Sequence, residues 1–108
     1  MKDKTCEERI DAALADRMQD FRKGELEGLC FDYVEPFTFV EQPRGYHRWQ
    51  LSWGGPSDEF RLYADGTVHY HFMDWYDGAK RYITDNELVS YMLNMKTFPQ
   101  LRGGEIKR

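Results

Sequence analysis

Nothing in these 108 residues approaches the roughly 18 consecutive apolar residues of a membrane span. No apolar stretch follows the charged opening MKDKTCEER, as a secretory signal would need, so the expected compartment is the cytoplasm and no membrane partner is expected. Cysteine is scarce: Cys6 and Cys30 are far apart in sequence, and in a reducing compartment both are expected as thiols rather than a disulfide. Catalytic signatures are missing too. There is no HExxH, no CxxC and no glycine-rich loop leading into a helix beside a lysine, so neither a cofactor nor a catalytic residue is expected and the chain reads as non-enzymatic. Positive charge is outnumbered, 15 Lys and Arg against 19 Asp and Glu. The formal net charge is −4, and Glu25, Glu27, Asp32, Glu35 and Glu41 lie between Gly24 and Pro43 with no Lys or Arg, which argues against direct nucleic-acid binding. Repeats and low-complexity segments are absent.

What the chain has in quantity is aromatic side chains, 16% of its residues, too many for a disordered chain and enough for a two-layer core. All three Trp and all three His fall between Tyr46 and Ala79. Within that stretch His47, Trp49, Leu51 and Trp53 alternate with Tyr46, Arg48, Gln50 and Ser52. Phe60, Leu62 and Ala64 alternate with Glu59, Arg61 and Tyr63, and Val68, Tyr70 and Phe72 with His69, His71 and Met73. A period of two with one apolar phase is the pattern of strands packed on one face. Asp65-Gly66 predicts a type I′ hairpin and Gly54-Gly55-Pro56-Ser57 a longer turn, giving a meander.

On either side the reading is helical or extended. Thr5 and Glu8 form a capping box, and Ile10, Ala13, Leu14, Met18 and Phe21 make an apolar stripe that Gly24 terminates. From Leu29 to Val40, Phe31, Tyr33, Phe37 and Phe39 share a phase, with Pro36 confining that segment to an edge or a bulge. Asp77-Gly78 predicts another turn, Lys80 to Ile83 a short strand, and Thr84 with Glu87 a second capping box ahead of Leu88, Tyr91, Met92 and Met95. Phe98-Pro99 should stop that helix. The expected fold is α+β in two layers: an N-terminal helix, a four- to five-stranded antiparallel meander and a C-terminal helix, as a single domain over 1–98 with a flexible tail at 99–108.

The strings LSWGGPSDEFR (51–61) and FMDWYDGA (72–79), with Glu35-Pro36 and the approach from Gln42 to Tyr46, resemble a family of small proteins encoded by bacterial phages, prophages and plasmids. The resemblance implies a mobile-element setting; it brings no activity, cofactor or catalytic residue with it. Two functional readings follow. In the first, the protein is a non-enzymatic binding protein, an inhibitor of a host defence system of anti-CRISPR or antirestriction type. It would occupy a basic surface on a host or phage protein through Trp53, Asp58, Glu59, Asp74, Trp75 and Asp77, carboxylates that pair with Arg around desolvated Trp rings. In the second, His47, His69 and His71 share a strand face and serve a small metal-dependent enzyme or a nucleotide-binding module. Against that stand the frequency of histidines on solvated strand faces and the habit of turn aspartates of bonding their own backbone. Either a monomer or a homodimer paired through a sheet edge fits the sequence.

Overall fold

The computed structural model describes residues 4–97. Helix α1 (Cys6–Arg22) is followed by strands β1 (Cys30–Val34), β2 (Tyr46–Ser52), β3 (Pro56–Leu62), β4 (Val68–Asp74) and β5 (Asp77–Ile83), then by helix α2 (Asn86–Thr97). The strands form one antiparallel sheet in the order β1-β2-β3-β4-β5, so the α+β reading with a five-stranded meander between two helices holds.

Local chemistry sets the boundaries of α1. Thr5 Oγ1 accepts the Glu8 N–H at 3.2 Å while Glu8 Oε1 accepts the Thr5 N–H at 2.9 Å, the reciprocal box the sequence predicts. At the other end Gly24, at φ +71°, donates to the Phe21 carbonyl and Glu25 donates to the Asp20 carbonyl, a Schellman closure that satisfies two terminal carbonyls. Both helices pack on one face of the sheet, where Trp49, Phe60 and Tyr70 share a rung and join Ile10, Met18, Leu88, Met92 and Met95 in one buried cluster.

Several boundaries differ from the sequence reading. The Leu29–Val40 segment is a strand only to Val34, because its ladder partner β2 begins at Tyr46, opposite Val34; beyond it Phe37 and Phe39 sit exposed in a loop. That loop is held by the Gln42 side chain, which accepts the Phe39 N–H at 2.9 Å and donates to the Glu35 and Arg44 carbonyls. Pro56 and Ser57 belong to β3, not to the turn, and pair with Asp74 and Met73. The β3–β4 turn is closed by the Gly66 N–H on the Tyr63 carbonyl and by the Tyr63 N–H on the Thr67 carbonyl. Only Gly66 there takes positive φ, +89°, so it is not a type I′ turn.

Asp77-Gly78 is not a turn either. Asp74 pairs with Asp77, leaving Trp75 and Tyr76 as the two-residue connection, with Trp75 at φ +59°. The cap of α2 is Asp85 rather than Thr84: Asp85 Oδ1 accepts the Glu87 and Leu88 N–H groups at 3.0 and 3.1 Å. The predicted stop at Phe98-Pro99 and the tail at 99–108 lie outside the described residues.

Candidate functional site

Alternation sends the off-phase residues of every strand to the face that carries no helix. Two successive rungs cross it: Gln50, Glu59, His71 and Lys80 on one, and Arg48, Arg61, His69 and Tyr82 on the next. With the 39–44 segment rising beside them, these rungs floor a cleft of about 660 Å³, rimmed by Trp53 at one side and Tyr63 at another. Its lining is aromatic and basic. Arg44, Arg48, Arg61 and Lys80 face only Glu41 and Glu59 among its acids, inside a chain whose net charge is −4.

Much of this polar surface is withdrawn from water. Glu59 is buried and accepts from Arg61 Nε at 2.6 Å and from Gln50 Nε2 at 3.4 Å. Arg61 in turn lies over the Tyr46 ring, 4.5 Å from its centroid, and Arg44 over the Tyr63 ring at 4.3 Å. Arg48 is held bidentately by Asp32 at 3.0 and 2.8 Å. Tyr46 Oη, His69 Nδ1 and His71 Nε2, by contrast, are shut from solvent with no hydrogen-bond partner, and all three residues line the cleft. A buried polar atom left unpaired costs about 1–3 kcal/mol, which makes its repetition three times on one face an observation in need of a cause.

The electrostatics agree with the geometry. Burial, reinforced by Arg61, His69 and Lys80, pushes the His71 imidazole down to about 3. Burial, then Lys80, Arg44 and Arg61, lowers His69 as well. Both rings are therefore neutral at pH 7, each with one ring nitrogen unpartnered in a positive field. Burial raises the Tyr46 phenol, partly offset by Arg61, so it too stays protonated.

The residues expected to form one acidic and aromatic surface are not together. Trp53 is exposed at the rim of the cleft and Glu59 lies in its floor. Asp58 has to be corrected outright: it is 2% exposed, on the helix side of β3. There it accepts two bonds from Arg17 at 2.7 and 2.9 Å, one from Tyr70 Oη at 2.6 Å and one from Ser52 Oγ. The reason is strand phase: Asp58 lies two residues from Phe60 on β3 and so faces the helices, and a bulge between Gln50 and Ser52 brings Ser52 opposite it. Asp74, Trp75 and Asp77 sit at the far end of β4 and β5, where Asp74 accepts from Arg9 at 2.7 Å and Asp77 accepts the Cys6 N–H at 2.8 Å. Their carboxylates bind the chain's own donors.

The shared His face also requires correction. His47 pairs with Leu62 and stacks on Phe31 at 5.8 Å between ring centroids, on the helix side of the sheet. His69 and His71 are on the opposite side, their rings 5.8 Å apart, so the three cannot hold one ion; among the described residues no group of three metal-ligating side chains occurs. The sequence did contain the signal for the cleft. Arg48, Arg61, His69 and His71 all occupy the phase opposite to Trp49, Phe60 and Tyr70, and reading that phase across strands would have assembled them. Tyr46 and Tyr63 share that phase as well, whereas the contribution of the 39–44 loop had no such signal. Compared with known proteins, the chain matches no family model, no curated protein and no solved structure, so the chemistry of this cleft is what supports a functional reading.

Proposed function

We propose that this chain is a non-enzymatic binding protein whose recognition site is the cleft on the helix-free face of its sheet. The observation that carries the reading is the set of unpartnered atoms there, Tyr46 Oη, His69 Nδ1 and His71 Nε2. Three buried polar atoms of one face stand unpaired, and a ligand that turns these side chains into the cleft would supply their partners. The cleft also has the size and composition of a small-molecule site, an aromatic lining with a few convergent polar groups. Neither described cysteine is an activated nucleophile in it: Cys6 is the buried first residue of α1, Cys30 is on the edge strand, and burial raises both thiols.

The likeness of 51–61 and 72–79 to small phage, prophage and plasmid proteins supports a mobile-element setting, where capture of a host ligand is one way to inhibit a defence system. The test is a thermal-shift screen of a metabolite panel, followed by amide chemical-shift mapping of any compound that stabilises. Perturbations at residues 46–48, 59–61 and 69–71 are expected. Stabilising compounds that perturb only the α1 and α2 side, or none that perturbs the cleft, would overturn the assignment, as would turnover of a bound compound.

A further inference from the structure

The cleft's polar groups are not evenly spread, and their arrangement says what kind of ligand fits. His71 and Lys80 are direct cross-strand partners on β4 and β5, and the His69 ring is stacked 5.8 Å from that of His71. A second, shallow depression lined by His71, Met73, Gly78, Ala79 and Lys80 meets the main cleft at this corner. The basic groups of the cleft differ in how they are engaged. Arg48 is neutralised by Asp32 and Arg61 by Glu59, whereas Arg44 makes only a 3.4 Å pair with exposed Asp65. Lys80 has no ion pair among the described residues; its ammonium lies 5.9 Å from the Tyr82 ring centroid. One unpaired cation and two neutral imidazoles with an unpartnered nitrogen each therefore converge on one corner. The exposed rings of Phe39 and Trp53 line the rest of the cleft.

We infer that the cleft takes a small organic anion with a planar ring, its carboxylate or phosphate seated against Lys80, His69 and His71 and its ring against the exposed Phe39 and Trp53. This rests on the cleft being the binding site. An ammonium supplies the charge partner, and an imidazole can turn its unpartnered nitrogen into a donor by taking up a proton. The surroundings govern that proton. Around the two rings stand Arg61 and Glu59 from β3, Lys80 and Tyr82 from β5, and Arg44, Asp65 and Tyr63 from the flanking loops; burial first, and then this mainly positive set, keeps both imidazoles neutral. An added anion offsets the Lys80 charge and favours the protonated ring beside it, so binding should draw a proton onto the His69–His71 pair.

Isothermal titration with benzoate, phenyl phosphate and uncharged benzyl alcohol tests the inference in the full chain, with amide shift mapping of each. Expected is binding of at least one of the two anions at the cleft, at least tenfold tighter than benzyl alcohol, with a preference between them that identifies carboxylate or phosphate as the favoured head group. The heat should change with the ionisation enthalpy of the buffer, showing proton uptake. Lys80→Glu should weaken the anion at least tenfold and leave benzyl alcohol unchanged; Lys80 lies on an edge strand, and its melting curve serves as the folding control. If benzyl alcohol perturbs the cleft amides as strongly as either anion, or the anions bind without Lys80, the anion class is wrong while the cleft remains a binding site. If neither anion perturbs the cleft at millimolar concentration, the inference fails. Should the whole metabolite panel also miss it, the proposed function fails with it.

Discussion

Asp58 shows how one residue's neighbours decide its role. Burial pushes its carboxyl upward, but hydrogen bonds from Arg17, Ser52 and Tyr70 outweigh that and leave it below the ordinary carboxylate range. Burial and then the bond to Asp58 raise the Tyr70 phenol, and the bonds to Asp58 raise the Arg17 guanidinium. Its carboxylate ties α1 to β3 and β4, and removing it strands a guanidinium and a phenol. Asp58→Ala is therefore expected to cost about 3 kcal/mol or more in urea denaturation, because breaking a buried pair leaves its partners uncompensated. Because the folded carboxyl is depressed, that contribution is present above the ordinary carboxylate range and lost as the pH falls through it. A companion test concerns packing. Trp49 is 5% exposed and lies 5.4 Å from Tyr91 and 5.9 Å from Phe60 between ring centroids, so Trp49→Ala should cost about 3–5 kcal/mol by the same measurement. A loss under about 1 kcal/mol would contradict its place in the core.

For the elements, connections matter more than strands. A Cβ at Gly66 would meet nothing within 4 Å, so the cost of Gly66→Val comes only from forcing a β-branched residue to φ +89°. That cost should be about 1–3 kcal/mol, read as a lower melting temperature. Trp75 poses the reverse case. It holds φ +59° while 87% exposed, so nothing in the fold repays the strain, and Trp75→Gly should stabilise the β4–β5 hairpin by about 1 kcal/mol. Its thermal melt would show this as a rise.

The two turns also mark how far the sequence could be read. Alternation from Tyr46 to Phe72 gave the meander and its buried phase, and the Thr5–Glu8 box gave the start of α1, because both are local patterns with a direct physical cause. Asp77-Gly78 carried a turn signal, yet the ladder pairs Asp74 with Asp77 and puts the turn at Trp75-Tyr76, while the Asp77 carboxylate takes the N–H of Cys6. Phe37 and Phe39 kept a strand's phase after β1 had no strand left to pair with. Asp58 kept the outward look of a charged residue until a bulge and a helix Arg enclosed it. In each case strand pairing or packing, rather than the residue type, decides. The cleft was half legible for the same reason: its strand phase could be seen, while its loop wall and its unpartnered atoms could not.

Across the whole molecule, the two faces of the sheet do different work. The covered face is apolar and holds its one buried carboxylate with matched donors, whereas the uncovered face keeps imidazoles neutral in a basic corner of an acidic protein. That contrast makes stability depend on pH in a region where carboxylates are silent. An unfolded histidine titrates near 6.5, and folded His71 only near about 3. Between those values the unfolded chain binds the extra proton, so stability must fall as the pH falls through the window and is fully present above it. His69, lowered by burial and the same cations, adds in the same direction. Ordinary carboxylates begin to protonate only near about 4.5, so the range from about 6.5 to 4.5 reports mainly on the histidines. Urea denaturation across that range should show a loss on the order of 2 kcal/mol, and His71→Gln should remove most of it. Saturation with an anion that seats against Lys80 should flatten the wild-type profile as well, because the bound charge lets the folded protein take up the proton that otherwise only the unfolded chain accepts. A flat profile in the unliganded wild type would mean that His71 ionises freely in the folded state, and the positive, desolvated corner on which the anion site depends would not exist.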